Sequence, residues 1–154
     1  MNEPINFFSE GTKFRLQKKR VLRSWIGEAI SEEKKISGDI NFIFCKDEYL
    51  LKMNRKYLKN NMLTDVLTFS MVEEETMVSG DIYLSIDRIK ENSKEFKQPF
   101  LKEILRVMIH GVLHLMEYRD ESDEERKVMR MRENNYLKRI LPAFENTSLR
   151  AQNI

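Results

Sequence analysis

The chain contains two histidines, His110 and His114, and they lie four residues apart. Positions i and i+4 of a helix differ by about 40° around its axis, so both imidazoles would project from one face and could share a metal ion. The segment around them is strongly apolar, so at least one imidazole must lie near the core, where an unpaired polar group is costly. The spacing alone is more typical of two ordinary core or surface histidines, but together with the apolar surroundings it favours a metal site, since a metal ion offers a buried imidazole a partner.

A third ligand is expected from Asp120, six residues after His114. Two imidazoles and a carboxylate suit zinc and leave a position open for water. The helical His-Glu-x-x-His pattern of zinc proteases is missing its general base, because Gly111 stands at the glutamate position. A glycine inside a helix costs roughly 1 kcal/mol relative to alanine, so Gly111 indicates close backbone packing or the approach of a substrate. A peptidase is therefore disfavoured.

This part of the chain resembles the signature of the YbeY endoribonucleases, which are bacterial ribosomal-RNA maturation factors. The matching residues are His110-Gly111-x-Leu113-His114-Leu115 with Tyr118 and Asp120, and upstream Asn54 and Tyr57, then Thr64-Asp65-Val66-Leu67-Thr68-Phe69, then Gly80-Asp81-Ile82 and Ser85. The resemblance covers roughly residues 40–137. It implies a small, metal-binding α+β protein that acts in ribosomal-RNA processing and in ribosome quality control.

Three positions depart from the family pattern. Asp120 stands where the family usually has a third metal histidine, so a bound water would be acidified less than at a site with three imidazoles. Leu58 stands where the family usually has an arginine that is thought to serve RNA cleavage, so another cation must meet the phosphate. Glu117 replaces a glycine after the helix, which removes the residue that most easily adopts a left-handed turn.

Together, the residues and the resemblance imply a metal-dependent, single-strand-specific endoribonuclease. One zinc ion per chain would be held by His110, His114 and Asp120, with His114 also assigned as the catalytic residue. The implied partners are ribosomal RNA and the ribosome or its assembly factors, with no membrane and no DNA. The alternative, favoured by Leu58, is an RNA- or ribosome-binding assembly factor whose metal is structural and which does not cleave RNA.

Basic side chains are expected to hold the RNA backbone by contacting phosphates. One group is spaced four residues apart along a predicted helix, where a solvated helix face is the alternative interpretation. The other group lies nearest in sequence to the block around Asn54 and to the histidine motif. The six predicted RNA-binding residues are Arg15, Lys19 and Arg23 in the first group, and Arg55, Lys59 and Arg119 in the second.

The apolar pattern predicts the elements that hold these side chains in place. Alternating and β-branched runs predict strands, and apolar residues at three- and four-residue spacing predict helices. The predicted strands are Ile5–Phe8, Asp39–Cys45, Val66–Met71 and Gly80–Ser85. The predicted helices begin at Phe14, Asp47, Asp87, Phe100 and Ser122, and the last ends near Leu141 before Pro142. This order predicts an α+β fold with helices packed on a mixed four-stranded β-sheet and the metal site at the end of a central helix.

Length and composition favour one domain over residues 1–154, with a core that needs no disulfide or structural staple. The formal net charge is only +2, from 27 basic and 25 acidic residues, so it does not identify a partner. The single cysteine, Cys45, fits a reducing compartment. No apolar run approaches the roughly 20 residues of a membrane helix, and residues 1–20 lack a signal-peptide core. The expected location is cytoplasmic.

Overall fold

The computed structural model of the chain describes residues 4–71 and 74–144. Five helices pack on a mixed four-stranded sheet, which confirms the predicted α+β class. The elements in chain order are β1 (Ile5–Ser9), α1 (Lys19–Glu32), β2 (Ile36–Cys45), α2 (Asp47–Leu58), β3 (Val66–Ser70), β4 (Met77–Ser85), α3 (Ile86–Glu95), α4 (Phe100–Leu115), α5 (Asp123–Ile140) and a 3₁₀ turn (Leu141–Phe144). None of the described helices is both long and apolar enough to cross a bilayer.

The sheet has the strand order β1-β2-β4-β3. Strand β2 pairs in parallel with β1 and β4, whereas β3 pairs with β4 as an antiparallel partner. Successive side chains of a strand point to opposite faces. Phe42 and Phe44 therefore pack into the main core with α1, α4 and α5, while Cys45 packs with Leu50 of α2 on the other face. Because β1 and β3 are the two edges, groups beside them lie at opposite ends of the sheet.

Helix α4 is the central helix, and most of its side chains are buried. Gly111 lies where this helix crosses β4. A Cβ at Gly111 would be 2.7 Å from Cγ2 of Ile82, closer than such contacts occur. The sequence suggested either close backbone packing or the approach of a substrate at Gly111, and the structure shows close packing. This packing brings the last two turns of α4, which carry His110 and His114, against the sheet.

The end of α4 is a Schellman turn, built without the glycine that usually makes it. The amide of Tyr118 donates to the carbonyl of Leu113 at 3.0 Å, and that of Glu117 donates to His114 at 2.9 Å. Glu117 adopts φ = 72°, the left-handed region that side chains disfavour. The turn sends the chain back toward the histidines, and a capping box of Ser122 and Glu125 then begins α5.

The first predicted helix begins too early. The structure begins α1 at Lys19, after Lys18 with φ = 55°. Phe14 is 2% exposed in the preceding non-helical segment and contacts the rings of Phe44 and Phe100. This aromatic contact, not helical periodicity, is why Phe14 is buried. The predicted single helical stripe of Arg15, Lys19 and Arg23 is therefore wrong, because only the last two lie on α1.

Replacing Glu117 with glycine is expected to stabilise the protein by about 1 kcal/mol, because glycine adopts a positive φ without the steric cost of a side chain. For a chain of this length the melting temperature should rise by roughly 3 °C, measured by circular dichroism. The matched control is Glu91→Gly at an exposed position inside α3, which should lower the melting temperature. An unchanged or lower value for Glu117→Gly would contradict strain at this turn.

Candidate metal centre

Three ligand atoms converge at the C-terminal end of α4, as the sequence predicts. The Nε2 atoms of His110 and His114 are 2.9 Å apart, and Oδ2 of Asp120 lies 3.4 Å from the first and 3.3 Å from the second. Helix α4 supplies both imidazoles from one face, and the Schellman turn returns Asp120 to them. The predicted cluster of two histidines and a carboxylate at the end of the central helix is therefore confirmed as a possible metal site.

Hydrogen bonds fix which nitrogen of each imidazole faces the centre. Nδ1 of His114 donates to the carbonyl of Tyr118 at 3.0 Å, since a carbonyl oxygen can only accept. Nδ1 of His110 lies 2.7 Å from Oε2 of Glu133 and donates to that carboxylate. With Nδ1 carrying the proton, each neutral imidazole directs the Nε2 lone pair toward Asp120. Such partners on the far nitrogen are typical of metal-binding histidines.

Glu133 of α5 is itself held by cations. Its other oxygen, Oε1, accepts from Arg106 at 3.0 Å and lies 3.6 Å from Arg130. Burial raises the pKa of Glu133, but the hydrogen bond and charge of His110, with Arg106 and Arg130, hold it below its ordinary value. Glu133 is therefore an ionised carboxylate that fixes the ring of His110 through packing between α4 and α5.

A second network fixes the carbonyl that orients His114. The hydroxyl of Tyr118 donates to Oε2 of Glu33, just after α1, at 2.9 Å. Oε1 of Glu33 accepts from Tyr136 at 2.9 Å and from Arg132 at 3.1 Å, both on α5. The turn after α4 is thus tied to two other helices, so its main chain is held where His114 needs a partner.

The electrostatic environment of His110 favours positive charge. Burial lowers the pKa of His110, but the hydrogen bond and charge of Glu133 outweigh it, and Asp120 and Asp65 add to the effect, so the net shift is upward. The groups that favour a proton on the ring also favour a metal cation beside it.

The donor set fits zinc. In a tetrahedral zinc site with bonds of about 2.0–2.1 Å, neighbouring ligand atoms lie about 3.3 Å apart, close to the three separations found here. The side chains of His110, His114 and Asp120 are 22%, 25% and 40% exposed, so the cluster is open on one side. That open side leaves room for water or a substrate oxygen.

A cleft of about 320 Å³ opens from the cluster, and three arginines border it. Asp65, just before β3, also lines this cleft. Burial raises the pKa of Asp65 above its ordinary value, while His110 opposes the rise. The other lining residues that bear charge are Glu103, Arg106, Asp120, Arg126, Arg130 and Glu133.

Sequence reasoning missed Glu133 and Asp65. A signal for Glu133 was present, because it occupies the buried face of α5 between Met129 and Tyr136, where a charged side chain requires a partner. Its partner could not be identified without knowing how α5 packs on α4. Asp65 carries no comparable signal, since an aspartate before a strand is typical of a turn.

The six predicted RNA-binding residues are dispersed. Arg15 and Lys19 border a hollow beside β1, the edge strand opposite β3. Arg23 donates to the carbonyl of Ile5 at 2.8 Å and lies over the ring of Phe7. The structure therefore places this group at the far edge of the sheet from β3.

In the second group, Arg119 lies beside the candidate metal centre, where it shares a hollow of about 470 Å³ with His114 and Asp120. Arg55 donates to Asn61 at 2.8 Å in the loop that leads from α2 to β3, and Lys59 ends α2. Leu58, at the position of the family arginine, is 54% exposed.

Comparison with known proteins identifies relatives over almost the whole chain. The family model described as "Endoribonuclease YbeY" matches residues 6–141. The protein named Endoribonuclease YbeY in Karelsulcia muelleri is 45% identical over 133 residues, which cover 86% of this chain and 93% of that protein. The one in Flavobacterium psychrophilum is 44% identical over 133 residues, covering 85% and 93%.

A solved structure has the same fold. The solution structure of TM1509 from Thermotoga maritima matches with a TM-score of 0.69 and 27% identity, covering 97% of each chain. The sequence match, the shared fold and the cluster at the end of α4 agree with the resemblance in the motifs. This chain belongs to the YbeY endoribonuclease family.

Proposed function

We propose that this protein is a metal-dependent, single-strand-specific endoribonuclease that acts in ribosomal-RNA maturation and ribosome quality control. Family membership supports ribonuclease chemistry. The observation that carries the metal dependence is the convergence of His110, His114 and Asp120 at the head of a cleft with three arginines. The partners in this proposal are ribosomal RNA and the ribosome or its assembly factors, in the cytoplasm, with a single domain performing the function.

Zinc, one ion per chain, is the proposed cofactor. His110, His114 and Asp120 would hold it, and His114 would be catalytic as a ligand of the ion, because its Nδ1 is committed to the carbonyl of Tyr118. The bound ion would supply positive charge to the phosphoryl group or acidify a water molecule. Glu133 and the carbonyl of Tyr118 hold the imidazoles in the ligating tautomer, so the ring positions are set before an ion enters.

The chain's own cations would bind the substrate. Arg106 is 16% exposed and committed to Glu133, whereas Arg130 is 63% exposed at the cleft. An exposed guanidinium beside the ligands can pair with two phosphate oxygens. Asp65, in the same cleft, is available to accept a proton or to orient water.

The second candidate is an RNA- or ribosome-binding assembly factor with a structural metal and no cleavage activity. The observation that favours it is Leu58, an exposed, uncharged side chain where the family has its arginine. Both candidates share the metal centre, so metal content does not separate them. Cleavage by nuclease-free protein does.

Purified protein is expected to contain about one divalent ion per chain, zinc by preference, measured by inductively coupled plasma mass spectrometry. The His110→Ala, His114→Ala double variant should lose the ion, because one carboxylate cannot hold it alone. Asp120→Ala should weaken binding less. The control Glu124→Ala removes an exposed carboxylate from α5 and should retain the ion. Full metal content in the double variant would rule out this centre.

Wild-type protein is expected to cleave a single-stranded ribosomal-RNA fragment slowly, and a chelator should abolish the cleavage. Asp120→His should accelerate it, since a neutral ligand leaves more positive charge on the ion. Leu58→Arg should accelerate it by supplying a guanidinium to the phosphate. Single-turnover rates measured on gels give the comparison.

The control for added charge is Val21→Arg, at an exposed position of α1 away from α2, which should leave the rate unchanged. If neither Asp120→His nor Leu58→Arg raises the rate, and if wild-type cleavage is insensitive to chelators, the catalytic assignment is wrong. The assembly-factor candidate then replaces it.

A further inference from the structure

One side of α5 carries a row of exposed polar and basic residues, which we name the α5 stripe: Lys127, Arg130, Asn134 and Lys138. Their spacing of three, four and four residues places them on the same side of the helix. From Lys127 to Lys138 the row extends about 16 Å along the helix axis. That length is sufficient for several nucleotides of an extended strand.

The cations of the α5 stripe differ from the other cations of α5. Arg132 and Arg139 pair with Glu33 and Glu32 at the end of α1. Arg126 pairs with Asp123 and donates to the carbonyl of Glu121, so it holds the loop that carries Asp120. These three arginines are engaged in holding the fold together.

The cations of the stripe are not engaged in that way. Within residues 4–71 and 74–144, no carboxylate lies within 4.0 Å of the ammonium groups of Lys127 or Lys138. Arg130 lies 3.6 Å from Glu133, a carboxylate that already binds His110 and Arg106 at shorter distances. The positive charge of the stripe is therefore available to an external anion.

The stripe is continuous with the cleft of the candidate metal centre. Arg130 lines that cleft together with His110 and Asp120, and it also lines the open groove along α5 with Lys127 and Lys138. The acidic residue of the groove is Asp123, which is paired with Arg126 at its N-terminal end. Arg130 thus stands where the two surfaces meet.

We propose that the α5 stripe binds the phosphates of single-stranded RNA and leads the strand into the cleft, with Arg130 contacting the phosphate nearest the metal ligands. Arg130 then supplies the cation that Leu58 cannot supply. This inference rests on the proposed ribonuclease function. A guanidinium can pair with two phosphate oxygens, and flanking lysines act as point charges, so binding depends on salt and little on sequence.

RNA fits the stripe better than an acidic protein does. Protein interfaces have an apolar core, with charged residues depleted at their centre. All four members of the stripe are polar or charged, and three of them are cations. A row of separate cations instead matches the regular charges of a nucleic-acid backbone.

The test compares the triple variant Lys127→Ala, Arg130→Ala, Lys138→Ala with the control Lys13→Ala, Lys34→Ala, Lys46→Ala. The control removes the same charge from three exposed lysines that line neither the cleft nor the groove along α5. Zinc-loaded proteins are titrated into a fluorescein-labelled single-stranded oligouridylate by fluorescence anisotropy over a series of salt concentrations. Wild-type cleavage is measured in parallel.

We expect the triple variant to lose at least about tenfold in affinity and its log–log salt slope to flatten by about 2, or 0.7 for each lost phosphate contact. The control should keep the wild-type slope. If the triple variant and wild type have equal slopes while wild-type cleavage persists, the α5 stripe does not bind RNA, and the proposed function is left intact. A flattened slope without wild-type cleavage would support the stripe and contradict the nuclease.

A titration with polyglutamate separates RNA from an acidic protein. If the triple variant loses polyglutamate binding but retains wild-type RNA binding, the stripe belongs to an acidic protein and the proposal is wrong. Within the stripe, Arg130→Lys should retain more RNA affinity than Arg130→Ala, since it keeps the charge. Equal affinities of Arg130→Ala and wild type would remove Arg130 from the RNA path.

Discussion

Two imidazole nitrogens that carry lone pairs face each other 2.9 Å apart, with a carboxylate oxygen beside them. Acceptors brought this close repel one another unless a cation lies between them. The surrounding structure holds them there: α4 spaces the histidines, the strained turn at Glu117 returns Asp120, and Glu133 and the Tyr118 carbonyl fix the rings. A metal ion, or a proton on His110, would relieve that repulsion.

The charge of the cleft also depends on whether a cation lies between the three ligand atoms. Four carboxylates and three guanidinium groups line it, which gives a formal charge of −1 with neutral histidines; a divalent ion would bring it to +1. By this count the cleft would repel phosphate without the ion and attract it with the ion. Binding of an anionic substrate in the cleft would therefore be coupled to metal binding through charge. A basic approach surface outside the cleft, such as α5 offers, does not depend on that coupling.

The sequence was sufficient to predict those parts of the structure that depend on local interactions. His110, His114 and Asp120 lie within eleven positions of one another, so helical spacing and a short turn brought them together correctly. Phe14 shows where periodicity misleads, because its burial comes from Phe44 and Phe100, contacts that no local pattern contains. Glu133 depends likewise on the packing of α5 against α4. The predicted convergence of the three candidate ligands was therefore right, while the residues that orient and surround them required the fold.

The central claim is that Nε2 of His110, Nε2 of His114 and a carboxylate oxygen of Asp120 hold one metal ion. Anomalous diffraction at the zinc edge from crystals of zinc-loaded protein tests it most directly. We expect a single strong peak about 2.0–2.1 Å from both Nε2 atoms and near Asp120, with Nδ1 of His110 still bonded to Glu133. A peak elsewhere, or Nδ1 facing the ion, would contradict it.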